Sequence, residues 1–262
     1  MNILFIGDIV GKPGRQVIKD VLPALKEKYS LDFVVANAEN SAGGSGIIAS
    51  VANELFDYGC NVLTSGDHIW KKKEVLQIIN DARILRPANY PIRSPGNGFN
   101  IYRVEKNNKS FDIAVINLQG RVFMNPIECP FKASEEIIQK LKDKVKIILV
   151  DMHAEATSEK IALGFYLDGK VSALCGTHTH VQTADEKILP AGTAYITDLG
   201  MTGAHDSVIG RNKENVIERF LSGLPVKFEL ALGDLRLNGA VVEIDEDTGK
   251  ALSIKRVSEA GK

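Results

Sequence analysis

The sequence predicts an α/β fold organised on a largely parallel sheet, and three observations carry that expectation. Short apolar runs, Ile3 to Ile6, Phe33 to Ala36 and Asn61 to Thr64, alternate with segments of helical periodicity. The first two are too continuously apolar for strands with a solvated face, which marks them as buried on both sides, as parallel strands are. Cys60, Cys129 and Cys175 are widely spaced and form no Cys-x-x-Cys, so neither a disulfide framework nor a structural zinc site holds the fold.

The chain has 262 residues, 44% of them hydrophobic and 25% charged, with a formal net charge of −1. That length can bury a substantial core as a single domain over residues 1–262. The near-zero charge leaves no footprint for nonspecific nucleic-acid or membrane binding. Ile3 to Ile6 is too short for a signal-peptide core, and no stretch approaches about 18 apolar residues. The expectation is a cytoplasmic protein with no membrane partner.

Ile3 to Ile6 closes on Gly7-Asp8, which puts Asp8 at a strand's carboxyl end. Pro13 can open a helix carrying the stripe Val17, Ile18, Val21, Leu22 and Leu25 to about Tyr29, with a kink or early stop expected at Pro23. Gly7 to Lys12 is not a phosphate loop, because it is one residue short between its glycines and Pro13 stands where Ser or Thr would bind magnesium. Phe33 to Ala36 delivers Asn37-Ala38-Glu39-Asn40 into a Gly-rich loop, and a helix follows from about Ile47 to Tyr58. Asn61 to Thr64 ends in Ser65-Gly66-Asp67-His68, and a helix is expected from Lys72 to about Asp81.

Phe99 to Val104 and Phe111 to Asn117 read as a hairpin turned at Asn107-Asn108. Gly120 to Lys132, broken by Pro126 and Pro130, is a candidate flap or partner surface. Ser134 can cap a helix through Leu141, Val145 to Val150 is a strand ending in Asp151-Met152-His153, and Thr157 can cap the next helix. Val171 to Cys175 leads into Gly176-Thr177-His178-Thr179-His180, where extended backbone would send both rings to one side. Ala194 to Thr197 ends in Asp198, a helix is expected from Glu214 to Leu221, and Val226 to Leu230, Leu235 to Ile244 and Ala251 to Val257 read as strands.

Asp8, Glu39, Asp67, His153, His178 and His180 therefore all follow apolar runs. Open α/β sheets bind ligands outside the carboxyl ends of their strands. Each residue alone has an ordinary structural explanation as a turn, cap or solvated acid; together they place six metal-competent side chains at one edge. Mixed imidazole and carboxylate donors suit iron, manganese or zinc. Six donors exceed one tetrahedral site and point to two metals about 3.5–4 Å apart, a pair that activates water and clamps both oxygens of a phosphoryl displacement.

Eight stretches carry a resemblance over almost the whole chain. They are Phe5-Ile6-Gly7-Asp8-Ile9-Val10-Gly11, Ala38-Glu39-Asn40, Gly66-Asp67-His68, Arg86-Pro87-Ala88-Asn89, Asn117 to Arg121, His153 to Lys160, Gly176 to Asp185 and Thr197 to Gly203. The chain resembles the YmdB-like bacterial metallophosphoesterases, a branch of the calcineurin-like phosphoesterases. The resemblance implies a four-layer αββα sandwich, two iron or manganese ions (zinc as an alternative), and hydrolysis of cyclic nucleotides. The 2′,3′-cyclic forms come first and the 3′,5′-cyclic forms second. It also implies self-association as a homo-oligomer. It puts Asp8, Asn40 and His180 on one metal, Asp67, His153 and His178 on the other and Glu39 between them, with a metal-bridging hydroxide as nucleophile and His68 as general acid.

The family usually has Asn where this chain has Asp67. The extra carboxylate is expected to tighten metal binding, make bound water less acidic and raise the His68 pKa if the two side chains approach.

Among the remaining candidates, His205 is expected at the surface and Cys175 in the core, with Lys71-Lys72-Lys73 as an exposed helix start. Arg121 and Arg211 are candidate phosphate contacts. A phosphomonoesterase with the same site, and a non-enzymatic regulatory or RNA-associated metal-binding protein, are the alternatives. The absence of basic runs interleaved with aromatics argues against an extended nucleic-acid groove.

Overall fold

The computed structural model describes residues 1–261. Strands β1 (Asn2–Ile6), β2 (Asp8–Ile9), β3 (Phe33–Asn37), β4 (Val62–Thr64), β11 (Met201–Ala204), β12 (Leu235–Ile244) and β13 (Ala251–Ala260) form one sheet, ordered β2-β11-β12-β1-β3-β4 with β13 beside β12. The second sheet runs β5 (Phe99–Lys106), β6 (Lys109–Gln119), β7 (Ile147–His153), β8 (Ala173–Thr177), β10 (Ala194–Ile196), β9 (Lys187–Ile188). In the first sheet β1, β3 and β4 are parallel, and in the second β6, β7, β8 and β10 are.

Alternation along β1 shows why the layers stack as they do. Ile3 and Phe5 face the core between the sheets, packed with Phe33, Ile113, Leu149 and Cys175. Leu4 and Ile6 face outward, under α1 (Gly11–Tyr29) and α2 (Ala49–Asp57), whose Ile18, Leu22 and Leu55 close the first outer core. On the far side, α3 (Pro130–Leu141) and α4 (Thr157–Tyr166) cover the second sheet through Ile137, Leu141 and Leu163. The result is the expected αββα sandwich. No helix among the described residues is long and apolar enough to cross a membrane.

Several elements differ from expectation. Pro23 does not stop α1, because it lies on the exposed face, where water can satisfy the carbonyl it leaves unpaired. The expected helix over 72–81 is only a 3₁₀ turn, Lys73–Gln77, without a side-chain cap, and the turn held by Asp81 and Arg83 then returns Ile84 to pair with Leu63. Ser134 and Thr157 are not caps: Ser134 lies inside α3 with its hydroxyl donating to the Phe131 carbonyl, and α4 begins after Ala156.

Val226 to Leu230 runs over the surface with a single bridge, Leu230 to Arg211, because no sheet edge adjoins it. The hairpin turn is as expected, with Asn107 and Asn108 at φ 51° and 59°, the paired left-handed conformation of a two-residue turn. Helix α5 spans Lys213–Ser222, capped by the Asn212 side chain on the Asn215 N–H.

Candidate metal centre

The two sheets bring the carboxyl ends of β1, β3 and β4 against those of β7 and β8. Asp8 follows β1 at the start of β2, Glu39 and Asn40 follow β3, Asp67 and His68 follow β4, His153 ends β7, and His178 follows β8. Gly66 makes the meeting possible. A Cβ there would lie 2.0 Å from His153 Cδ2 and 2.4 Å from Glu39 Oε2, so any side chain would occupy the site itself.

Glu39, Asp67, His153 and His178 each turn a donor atom into one cluster in which all lie within 4.8 Å. His153 Nε2 stands 3.1 Å from Glu39 Oε2 and 3.5 Å from Asp67 Oδ1, with His178 Nδ1 at 2.9 Å. A second group adjoins it: His180 Nε2 lies 3.9 Å from Asp8 Oδ1 and 3.2 Å from the Asn40 amide nitrogen. Glu39 joins the two groups, its Oε1 accepting from Asn40 Nδ2 at 2.9 Å while Oε2 faces His153.

Partners on the far side of each ring set its tautomer. The Thr177 hydroxyl donates to Asp151 at 2.7 Å, so it must accept from His153 Nδ1 at 3.0 Å. His178 Nε2 is 3.2 Å from Glu155, and His180 Nδ1 donates to the Ile209 carbonyl at 3.1 Å. All three outer nitrogens are thereby held as donors, which leaves the inner nitrogen of each ring as the one that would face a metal, as in metal-ligating histidines. Asp8 Oδ1 and Asp67 Oδ1 are buried without hydrogen-bond partners. Buried carboxylate oxygens without partners, gathered beside imidazole nitrogens, are unfavourable unless a cation joins them, so the donor set fits metal ions.

Titration behaviour reflects the same crowding. Burial raises the Asp8 pKa to about 6, against the pull of His180 and His153. Burial also lowers His178 to about 4, assisted by charge on His153. For His153 burial acts downward, yet Glu39, Asp67 and Asp8 outweigh it and hold the ring well above its ordinary range. A metal entering the cluster must displace that proton.

His68 sits beside both groups, its Nδ1 2.8 Å from Asn40 Oδ1 and 3.3 Å from Glu39 Oε1. Hydrogen bonding to Glu39 chiefly raises its pKa against partial burial. Asp67 approaches His68 Nε2 at 3.8 Å and raises the pKa further, ranking behind Glu39.

One expectation needs correction. Strand β8 ends at Thr177, two residues beyond the expected run, and His178 and His180 have φ of 102° and 64°. The pair is a turn rather than extended chain, held by the His178 N–H on Asp8 Oδ2 and the Thr179 N–H and hydroxyl on Asp198. The rings therefore face different groups.

Gly120 to Lys132 is no flap over this site. Its Arg121 and Val122 N–H groups bond Glu159, and the Asn89 side chain ties its ends, bonding the Gln119 and Glu128 carbonyls. The cavity over the cluster, about 350 Å³, is lined instead by His68, Thr179, Ile209 and Arg211 among others. Arg121 is not among its lining residues; it is exposed, next to Cys129. His205 is half-buried against the Met201 carbonyl, and Cys175 is fully buried, with its thiol held well above its ordinary range by burial.

Sequence reasoning missed the supporting residues. Asn37, Thr64 and Thr177 all donate to the buried Asp151 beneath His153. Lys160, fully buried, pairs with Asp198 at 2.6 Å and so braces Thr179 between the two histidines. Their available signal was polarity at the last positions of otherwise apolar strands, and a lysine on the stripe of α4 that faces the core.

The chain has relatives in both sequence and fold. A Bacillus subtilis protein named 2′,3′-cyclic-nucleotide 2′-phosphodiesterase is 49% identical over 258 residues, covering 98% of this chain and 96% of that protein. A solved phosphatase of Mycoplasma pneumoniae superposes with a TM-score of 0.92 at 37% identity, covering 100% of this chain and 94% of the other. A Thermus thermophilus protein described only as hypothetical superposes with a TM-score of 0.91 at 38% identity, with 100% of both chains covered. With residues 4–257 matched by the model of the YmdB-like protein family, the chain belongs to that family.

Proposed function

We propose that this chain is a binuclear metal-dependent phosphodiesterase acting on cyclic nucleotides, the 2′,3′-cyclic forms first. The observation that carries the reading is the set of three histidines whose outer nitrogens are anchored and whose inner nitrogens face buried, unpartnered carboxylate oxygens. Glu39, Asp67, His153 and His178 would hold one ion, and Asp8, Asn40 and His180 the other, with Glu39 shared. Iron or manganese suits these donors best. When bound, such a pair lowers the pKa of water and polarises phosphoryl oxygens.

The chain's own residues supply the rest. His68 stands at the cavity wall as the proton donor, and its hydrogen bond to Glu39 raises its pKa above the ordinary imidazole value, which favours the protonated form a general acid needs. Delivered to the 2′ oxygen of a 2′,3′-cyclic substrate, that proton completes ring opening to a 3′-monoester. The cavity of about 350 Å³ is of nucleotide size.

Asp67 adds an anionic donor with its Oδ1 already aimed at His153. Asp67→Asn is expected to retain the site but hold metal less tightly, so equal metal affinity and turnover in the two proteins would remove this idea. A phosphomonoesterase reading is favoured by one observation, the Mycoplasma neighbour described as a phosphatase.

The direct test is turnover of 2′,3′-cyclic AMP, 3′,5′-cyclic AMP and a simple phosphomonoester by manganese-loaded protein, beside His68→Ala. The reading requires the 2′,3′-cyclic substrate to be preferred and the variant to be slower by about 10²–10⁴-fold. It fails if fully loaded native protein turns over neither diester.

A further inference from the structure

Arg211 is a cation with no anion. It is half-buried, and no carboxylate of the described residues lies within 4.0 Å of its guanidinium. Its one side-chain hydrogen bond runs from Nη2 to the Gly44 carbonyl at 2.5 Å, leaving most of its five N–H donors unused. Burial alone lowers its pKa, with no neighbouring carboxylate pulling the other way. The site it lines contains Glu39, Asn40, His68 and His180, the same groups that gather at the metal cluster.

The side chain is held rather than loose. Backbone bridges from Arg211 to Val208 and to Leu230 pin the turn, and the Ile209 carbonyl in that turn anchors His180. Gly44, at φ +86°, gives the guanidinium its seat: a Cβ there would lie 2.4 Å from Nη1 and 2.7 Å from Cζ. A desolvated, positioned cation without a counter-ion, facing a cavity, is an incomplete ion pair.

We propose that Arg211 is the anion-binding residue of this cavity and takes a phosphate oxygen of the substrate, a role that rests on the phosphoester reading above. The planar fork of N–H donors matches phosphate geometry. Diester opening adds a negative charge to the phosphate, so Arg211 holds monoester product and inorganic phosphate more strongly than the cyclic substrate.

The test uses inorganic phosphate as the probe, titrated into manganese-loaded native protein, Arg211→Gln and Arg211→Lys, with metal content and the KM for 2′,3′-cyclic AMP measured on each. Arg211→Gln is expected to weaken phosphate binding by roughly 10–100-fold, the loss of one or two hydrogen bonds to a charged group. KM rises, metal content stays at the native value, and Arg211→Lys recovers part of the phosphate affinity. Phosphate affinity within about twofold of native in Arg211→Gln overturns the proposal. So does loss of metal in both variants, which would make Arg211 a brace for Ile209 and His180. If native protein binds phosphate through Arg211 but hydrolyses no phosphoester, the catalytic reading falls and the anion site stands; if it hydrolyses diesters equally well without Arg211, the reverse holds.

Discussion

Lys160→Met tests whether the buried ion pair supports the histidine turn. The perturbation removes a fully buried ammonium 2.6 Å from Asp198 Oδ2 and keeps the apolar stem that crosses Gly176. Asp198 would keep three donors, the Thr179 N–H, the Thr179 hydroxyl and the Gly200 N–H. Breaking a buried pair from one side costs about 3–5 kcal/mol. The three remaining hydrogen bonds put this case near the lower end, about 3 kcal/mol, or a fall in Tm of roughly 6–12 °C for a chain of this size.

Urea unfolding of metal-free protein followed by circular dichroism gives the stability, and a chelator competition gives the metal affinity, which should fall with it because Asp198, which holds Thr179, loses the ion-pair partner that fixes it. The double variant Lys160→Met/Asp198→Asn leaves no unpaired charge at this position and should recover more than half of the loss. A single variant within about 1 kcal/mol of native, or a double variant no better than the single, would show that the ion pair does not support the turn.

Other expectations follow from individual contacts. Gly66→Ala drives a methyl group into His153 and Glu39, so the purified variant should lose at least the ion on that group while its circular dichroism stays native. Thr177→Val removes the hydroxyl between His153 and Asp151 and should weaken metal binding about 10–100-fold in a chelator competition. Glu246 is held down to about 2 by the Met1 ammonium first and by Lys106. A depressed carboxylate stabilises the fold above its unfolded pKa, so this contribution is present at neutral pH and is lost as pH falls from about 4.5 toward about 2. Glu246→Gln should therefore cost about 1 kcal/mol at neutral pH, discounted for partial exposure, with native and variant converging in acid urea titrations.

Much of this was legible because strand ends announce themselves. Asp8, Glu39, Asp67 and His153 follow apolar runs whose β character needs only local periodicity, and a parallel sheet then sends its carboxyl ends one way. What remained hidden depends on contacts between distant parts of the chain. Nothing near Asn37 indicates Asp151, 114 residues away, and nothing near His178 shows that its N–H reaches Asp8, 170 residues earlier. Those bonds convert the expected extended His-x-His into a turn. The 72–81 segment failed as a helix for a related reason, since the need to return Ile84 to Leu63 outweighed a weak apolar stripe whose Leu76 has no core to face. The β8 boundary slipped because Gly176 and Thr177 look like loop residues, while the close passage of Thr197 O and the Lys160 stem requires the glycine inside the strand.

The most direct test of the central claim is the number of metal ions per chain, read by elemental analysis of native protein saturated with manganese or iron and then freed of excess metal. Two ions are expected per native chain and one in the Asp8→Ala/His180→Ala double variant. A native chain that saturates with a single ion, or a double variant that still holds two, would contradict that claim.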